Sequence, residues 1–354
     1  MTKGRFLQLT MGAALAAAVG LFSGPANAQD IDSAVTLFQP AGTLIMPFDN
    51  TENHASFQIV TRVGPGDGLG GPVATHWSYW AEDCRHLVDV FVCLTPNDTK
   101  VMDPTKVQGE IQAPNPPVNT GIGSLTDLTG ERGLVTVTAY EANTGTSGLQ
   151  CTVIDFEAVL ANEIFGGWVI ANTATNAAFG LDAIGLAPDA LPDPSLISED
   201  GAGIFIQTFN PQSLGDSEVI VLSAETAAGN GAFEDSEIGP IQRPRPDGAH
   251  VCCDVTFTDN LEIFTSLPDL CFDCAAFHPI SDLQAEAGET SIIPPNTTID
   301  APGFIRLRNC ETVTSDDLVD AIGADFEQFL FAMHGQAIGP FGSAIHGKYT
   351  GENF

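Results

Sequence analysis

Alternation of apolar and polar residues is the strongest pattern in this sequence, and a two-residue period is typical of β-strands. Clusters rich in proline, glycine and asparagine separate the alternating segments, and the chain holds 36 glycines and 23 prolines. The pattern therefore predicts an all-β fold of antiparallel β-sandwich type, jelly-roll or Ig-like, with long Pro/Gly loops. The alternating segments are FQIVTRV (57–63), GLVTVTAYEA (133–142), CTVIDFEAVLA (151–161), SEVIVLSAE (217–225), HVCCDVTFTD (250–259) and GFIRLRNC (303–310).

We expect at most one or two short helices. Thr314 and Asp317 give a capping-box-like start to a helix over 313–322, which Gly323 would end. The next segment, FEQFLFAMHG (326–335), fits either a continued helix or a strand, and we predict a strand because its surroundings are β.

The first 28 residues have the three parts of a secretory signal peptide. Lys3 and Arg5 precede an apolar run over 11–22, and Ala26-Asn27-Ala28 forms an A-x-A cleavage site. The apolar run is too short to span a bilayer. We therefore expect a protein without a membrane span, located outside the cell, at the cell surface or in the periplasm of a Gram-negative-type bacterium.

The remaining 326 residues (354 minus 28) are long for one β-sandwich, which predicts two sandwich domains over 29–190 and 191–354. The boundary falls in a stretch of small residues, proline and aspartate at 181–203. A faint resemblance between the segments 76–94 and 253–271 leaves an internal duplication open.

Charge excludes one class of partner. The chain has 45 acidic residues against 12 lysines and arginines, and removing the signal peptide lowers the net charge from −33 to −35. Such a field repels nucleic acid and anionic membranes. Extracellular or surface proteins, glycans and divalent cations remain as partners. A calcium loop of the D-x-D-x-D-G type is absent, and GPGDGLGG (64–71) does not match the calcium-binding repeat, so a solvated acidic surface is the favoured interpretation.

The eight cysteines all follow the signal peptide, and an even number in an oxidising compartment favours disulfide bonds. Eight cysteines allow 105 connectivities, so the sequence does not fix the pairing. The disulfide candidates are Cys84, Cys93, Cys151, Cys252, Cys253, Cys271, Cys274 and Cys310.

The segment CFDCAAFH (271–278) has three interpretations. Covalent haem attachment requires C-x-x-C-H, but Ala275 follows the second cysteine, and a thioredoxin-like pair requires a βαβ context that is missing. A soft-metal site for zinc or Cu(I) is the main rival to disulfides. Its candidate ligands are His250, Cys252, Cys271, Cys274 and His278.

We favour a disulfide corner, in which Cys252 or Cys253 pairs with Cys271 or Cys274. On a strand, Cys252 and Cys253 point to opposite faces and could not easily share one metal ion.

We predict separate pairings for the other four cysteines. Cys84 and Cys93 bracket a hairpin-like segment and would pair with each other. Cys151 and Cys310 would pair with each other or with the 252–274 cluster.

Motifs of hydrolases and nucleotide-binding enzymes are absent: the sequence has no G-x-S-x-G, no H-E-x-x-H and no P-loop. HWSYW (76–80) could form an aromatic sugar platform. On a strand, however, Trp77 and Tyr79 share one face while His76, Ser78 and Trp80 share the other, and we favour core packing.

The remaining histidines are scattered along the chain. They include His54 and His86, which we interpret as ordinary surface or core residues. His334 and His346 would matter only if the fold brought them beside His278.

The sequence thus predicts a secreted, disulfide-stabilised, non-catalytic β-sandwich protein that acts as a surface, matrix or adhesion component. It predicts no catalytic residue and no cofactor, apart from a possible calcium or soft transition-metal ion. Two alternatives stay open: a secreted zinc- or copper-binding protein that uses the 250–278 cluster, and an extracellular hydrolase whose site lies on sandwich loops.

Overall fold

A computed structural model provides the structure of this protein, and its elements match the predicted all-β class. The described residues are 35–36, 40–63, 71–83, 85–108, 125–144, 151–153, 163–174, 177–186, 204–208, 217–226, 238–239, 250–259, 264–279, 303–313, 327–338 and 342–350. By backbone contacts, Ser33–Phe354 forms one compact unit. The two-domain boundary near residue 190 stays a prediction.

Twenty strands and one short 3-10 helix, Pro104–Lys106, make up the elements that the structure describes. The strands are β1 (Val35–Thr36), β2 (Thr43–Asp49), β3 (His54–Arg62), β4 (Val73–Ala81), β5 (His86–Leu94), β6 (Thr99–Met102), β7 (Arg132–Thr144), β8 (Cys151–Val153), β9 (Ile164–Asn172), β10 (Ala177–Asp182), β11 (Ile184–Leu186), β12 (Ile204–Thr208), β13 (Ser217–Thr226), β14 (Ile238–Gly239), β15 (His250–Asp259), β16 (Phe264–Phe272), β17 (Ala275–Pro279), β18 (Gly303–Val313), β19 (Glu327–Ile338) and β20 (Gly342–Thr350).

The strands form four sheets, and each pairing between described strands is antiparallel. The first sheet has the order β1-β11-β2-β7-β4-β5, with β8 added to β7, and the second has the order β10-β9-β3-β6. The third has the order β12-β18-β15-β16. The fourth has the order β14-β13-β19-β20, with β17 also paired to β13. The antiparallel all-β prediction is confirmed at this level.

The predicted strand positions agree closely with the observed ones. Five alternating segments become β3, β7, β13, β15 and β18. The sixth begins as β8, and its remainder over 154–161 lies outside the described residues. The ambiguous segment 326–335 forms most of β19, so the strand prediction there is confirmed. The helix predicted over 313–322 lies outside the described residues, apart from Val313 at the end of β18.

The core is centred on the first sheet. Trp77 and Tyr79 of β4 are completely buried, and Trp80 on the other face of the strand is 4% exposed. Core packing of HWSYW is therefore confirmed. Ile220 and Phe277 belong to the same buried cluster, so the second half of the chain contributes to this core.

Backbone and side-chain contacts join the turn after β4 to the start of β17. The amides of Cys274 and Ala275 both donate hydrogen bonds to the carbonyl oxygen of Glu82. The Glu82 carboxylate pairs with Arg132, and the Arg132 guanidinium lies 5.5 Å from the centre of the Phe277 ring. These contacts connect segments that are almost two hundred residues apart in the sequence.

In the parts of the chain that the structure describes, no helix has the length and apolar character needed to cross a membrane.

Candidate functional site

Three polar side chains of the β4–β5 hairpin converge on the carboxylate of Asp89. The antiparallel register places Ser78 opposite Asp89 and His76 opposite Phe91. The Ser78 hydroxyl donates a hydrogen bond to Oδ1 of Asp89. Nε2 of His86 lies 2.9 Å from that same oxygen, and Nε2 of His76 lies 3.5 Å from it. One carboxylate oxygen is thus the centre of the cluster.

A β-bulge places His86 in this cluster. Val88 pairs with Tyr79, but the next pair joins His86 to Trp80, so the register skips Leu87. In a regular strand, residues 86 and 89 would lie on opposite faces. The extra residue moves His86 onto the face that carries Asp89, as bulges do when they redirect a side chain.

Aromatic contacts hold the two imidazoles in place. The His76 ring stacks on Phe91 with 4.4 Å between ring centres and an interplanar angle of 3°. The His86 ring meets Trp80 edge-on, with 4.7 Å between centres. Because Phe91 and Trp80 are both buried, they give each histidine a fixed apolar wall.

These contacts change the acidity of Asp89. Burial of the side chain raises the pKa of Asp89, but hydrogen bonds from His76 and His86 lower it. The positive charge available on His76 and the hydrogen bond from Ser78 lower it further. The balance holds the pKa of Asp89 well below its usual range, so this carboxylate is ionised under ordinary conditions.

The cluster contains serine, histidine and aspartate, but its hydrogen bonds differ from those of a nucleophilic relay. In such a relay, serine donates to an imidazole, and the other nitrogen of that ring donates to the carboxylate. Here Ser78 donates directly to Asp89, while the two imidazoles approach the same carboxylate oxygen through Nε2. Ser78 is also only 7% exposed. Oγ of Ser78 also lies 3.4 Å from Nε2 of His76, but that same nitrogen faces Asp89, so the ring does not link the serine to the carboxylate through its two nitrogens.

Sequence reasoning named His76, Ser78 and Trp80 as one face but did not connect them with Asp89 or His86. The i,i+2 spacing of VDVF (88–91) could have indicated that Asp89 lies on the same face as Phe91. The position of His86 had no local signal, because it depends on the bulge.

Among the described residues, no group of three or more His, Cys, Asp and Glu side chains is arranged to hold a metal ion.

Two of the predicted cysteines are disulfide-bonded, namely Cys93 and Cys274. They are not bonded to each other. In the sheet, Cys93 of β5 stands opposite Ala74, near the start of β4. The Cys274 amide instead contacts Glu82, just beyond the end of β4. Eight residues of strand span about 26 Å, far more than the roughly 4.4–6.8 Å between the Cα atoms of a disulfide. At least two separate disulfides therefore exist.

The proposed partner of Cys93 was Cys84, which lies outside the described residues. Cys151 starts β8 and pairs with Thr144. Cys310 lies in β18, and Cys253 lies at the bulge where the pairing of β15 with β18 shifts.

The candidate metal ligands of the 250–278 segment are distributed over two sheets. His250 and Cys252 lie in β15, and Cys252 stands directly opposite Cys271 of β16. His278 lies in β17, which pairs with β13 of the other sheet. A sulfur in a disulfide is not a thiolate ligand, so Cys274 fits the disulfide interpretation.

The other histidines fall into two groups. His54 lies between Asp49 and Asn172, with its Nδ1 3.6 Å from the Asp49 carboxylate and its Nε2 3.3 Å from the Asn172 amide nitrogen. It is therefore a partnered side chain of the β2–β3 turn. His334 and His346 stand opposite each other in β19 and β20, and His334 shares a cross-strand row with His278.

A partly exposed apolar surface covers the second sheet. Residues of β3 that face the core are buried, whereas Phe57 and Ile59 on the other face are only partly buried. Val101 of β6 pairs with Ile59 and is 42% exposed, and Phe165 of β9 is 44% exposed. With Val169, which pairs with Phe57, these five side chains form what we call the outer face of the β10-β9-β3-β6 sheet.

Comparison with known proteins gives no relative: no family model matches the sequence, and neither the curated proteins nor the solved structures contain a significant match.

Proposed function

We propose that this chain is a secreted, disulfide-stabilised, non-catalytic protein of β-sandwich type that binds extracellular proteins or glycans through the outer face. In this role it acts as a surface, matrix or adhesion component. Two sandwich domains and export through the N-terminal signal peptide belong to the same proposal.

The outer face is the observation that carries the proposal. Phe57, Ile59, Val101, Phe165 and Val169 are all apolar, and none of them is fully buried. The same face also carries Thr61 and Thr99, whose hydroxyls lie 2.9 Å apart, and Gly167, which pairs with Ile59 and with Asp182 of β10. In an antiparallel sheet with one face on the core, the residues of the solvent-facing side are normally polar. Contiguous exposed apolar surface is typical of an interaction site.

The surrounding charge supports a binding role. The chain has a net charge of −33, whereas the five residues that define the outer face are uncharged, and among the described strands of this sheet Asp182, which pairs with Gly167, is the acidic residue on the same side. An acidic surface keeps the protein soluble and repels similar chains. A largely apolar face on such a protein provides a place where a partner can bind with little of that repulsion.

Two further observations support a non-catalytic protein in an oxidising compartment. Cys93 and Cys274 are disulfide-bonded, and stable disulfides are typical of secreted chains. In the Asp89 cluster, Nε2 of His76 lies 3.4 Å from Oγ of Ser78 and also faces Asp89, so the ring does not connect serine and carboxylate through opposite nitrogens as a nucleophilic relay does.

A surface-binding assay tests the proposal. The purified protein is applied to the extracellular matrix and cell-surface fraction of the producing cells, and the bound fraction is measured. We expect Phe165→Glu combined with Val101→Glu to abolish binding. Leu125→Glu is the matched control, because Leu125 is 59% exposed and lies outside the strands of this sheet. Equal binding of the wild type and the outer-face variant would refute the proposal.

The hydrolase alternative is tested separately with a fluorophosphonate probe, which labels activated serines. We expect no labelling that depends on Ser78. Labelling that is present in the wild type and absent in Ser78→Ala would establish a nucleophilic serine and replace the non-catalytic proposal.

A further inference from the structure

The second sheet ends at β6, which in the described part of the chain pairs with β3 alone. Val101, in the middle of β6, is 42% exposed, and Thr99 is exposed as well. The outer side of an edge strand presents a row of backbone N–H and C=O groups with which a further strand can pair. β6 is therefore a position at which another chain can extend this sheet.

The register shows which backbone groups point to the free side of β6. The last pair of the β3–β6 register joins Thr61 to Thr99. One residue further, the Arg62 amide donates a hydrogen bond of 2.9 Å to the carbonyl oxygen of Asp98. Opposite residues of an antiparallel pair alternate between those that exchange hydrogen bonds and those that do not. The N–H and C=O groups of Thr99 and Val101 therefore point away from β3.

Most of these edge groups are open to a partner. In the described part of the chain, neither the N–H nor the C=O of Val101 has a hydrogen-bond partner, and the same holds for the C=O of Thr99. The N–H of Thr99 differs, because it donates to Oδ1 of Asp98 over 2.9 Å. Open backbone groups on an exposed edge match the backbone of an extended peptide.

The open edge is continuous with the outer face. Val101 belongs to both, because it stands opposite Ile59 and carries open backbone groups. A strand added to β6 would place alternate side chains beside Val101 and Thr99, on the side of the outer face. Lys100 shares the opposite side with the buried Val60, so its charge does not lie on the outer face. One peptide can thus use the edge and the apolar face together.

Charge selects among extended peptides. The chain has a net charge of −33, and β6 is flanked in the sequence by Asp98 and Asp103. A field of this sign attracts basic peptides and repels acidic ones. The side chains that lie beside Val101 should be apolar, because they would extend an apolar surface. The edge therefore fits a peptide in which apolar and basic residues alternate.

We propose that β6 is the docking site for an extended segment of an extracellular protein, with alternating apolar and basic residues, which adds an antiparallel strand to the second sheet. This inference rests on the proposed function and names the partner of the outer face as a polypeptide rather than a glycan.

Val101→Pro tests the site, because proline removes an N–H of the free edge and leaves the hydrogen bonds between β6 and β3 intact. The probe is a fluorescent peptide of alternating valine and lysine, about nine residues long. We expect Val101→Pro to weaken binding by about ten-fold or more. Val101→Ile is the matched control, since it keeps the N–H and an apolar branched side chain, and it should bind as the wild type does. No binding to the wild type, or equal binding by Val101→Pro, would overturn the proposal.

Modified peptides give an answer on the wild-type protein even if Val101→Pro unfolds. The valine opposite Val101 would direct its own N–H to β6, whereas the N–H groups of its lysine neighbours would point away. N-methylation of all valines should therefore abolish binding, and N-methylation of all lysines should not. Equal effects of the two modifications, or a loss with methylated lysines alone, would rule out antiparallel strand addition. Replacing each lysine by glutamate should also abolish binding.

The surface-binding assay separates this inference from the proposed function. If Val101→Pro binds the surface fraction as the wild type does, while the Phe165→Glu and Val101→Glu variant does not, strand addition fails and the proposed function stands. If both variants bind as the wild type does, both proposals fail. Analytical ultracentrifugation tests a second copy of the chain as the occupant. A wild type that forms dimers, with a monomeric Val101→Pro, would assign the edge to self-association and contradict the proposal.

Discussion

The hairpin of β15 and β16 predicts one specific disulfide. The register places Cys252 directly opposite Cys271. Opposite residues of an antiparallel pair have Cα atoms about 4.5–5.5 Å apart, which lies within the range of roughly 4.4–6.8 Å observed for disulfides. We therefore expect a Cys252–Cys271 bond and propose to remove it with the double substitution Cys252→Ala and Cys271→Ala, which leaves no unpaired thiol.

The size of the effect follows from the loop that the bond closes. The loop contains the 20 residues from Cys252 to Cys271 inclusive. In the chain-entropy model, closing a loop of this length lowers the entropy of the unfolded chain by about 11 cal/mol/K, or about 3 kcal/mol at 25 °C. The double variant should therefore lose about 3 kcal/mol of the free energy of unfolding.

The assay has two steps. Non-reducing peptide mapping by mass spectrometry should first identify a peptide that links Cys252 to Cys271. Urea unfolding, followed by far-UV circular dichroism, then compares the double variant with the wild type and with Ser266→Ala, an exposed position on the same hairpin. A peptide that links Cys252 to another cysteine would refute the register argument. A loss below about 1 kcal/mol would refute the loop-entropy argument.

Three other substitutions test the packing and electrostatics of the first half. Gly133→Ala should lower the free energy of unfolding by about 3 kcal/mol or more, because a Cβ atom at Gly133 would lie 1.9 Å from the carbonyl oxygen of Trp80. Thermal unfolding measures this loss, and a variant as stable as the wild type would contradict the expectation. Arg62→Met should lower the free energy of unfolding by about 3–5 kcal/mol. In the wild type the buried Glu163 carboxylate lies 3.2 Å from Nε of Arg62, and the substitution leaves that carboxylate without its cation. Adding Glu163→Leu should recover most of that loss, and a further loss would show that the ion pair is not the cause. For Asp89, the folded pKa is lowered, so its stabilising contribution is complete above the unfolded pKa of about 3.9 and is lost as pH falls below that value toward the folded pKa. Urea midpoints between about pH 2 and pH 5 should therefore fall more steeply for the wild type than for Asp89→Asn, and parallel curves would contradict the assignment.

The sequence alone was sufficient to locate the strands. The alternation in 133–142, 217–225 and 250–259 corresponds to β7, β13 and β15 because a two-residue period is a local property of the chain. The same periodicity correctly divided HWSYW into the faces of Trp77 and His76. Location in the cell and the number of domains stay predictions.

The candidate site could be predicted only in part. Periodicity places His76 and Ser78 on one face of β4, but the partner strand supplies Asp89, and a bulge brings His86 to it. The backbone row of His278, His334 and His346 depends even more on long-range pairing, because β13 must pair with both β17 and β19, and Gly347 must be skipped.

The physical reason is that register is set by contacts between segments that are distant in the sequence. A shift of one residue moves every side chain of a strand to the other face, and a bulge makes that shift at a single point. Alternation along the chain therefore determines which residues share a face within one strand. Only the tertiary structure decides which faces of different strands meet, and so which histidines and cysteines become neighbours.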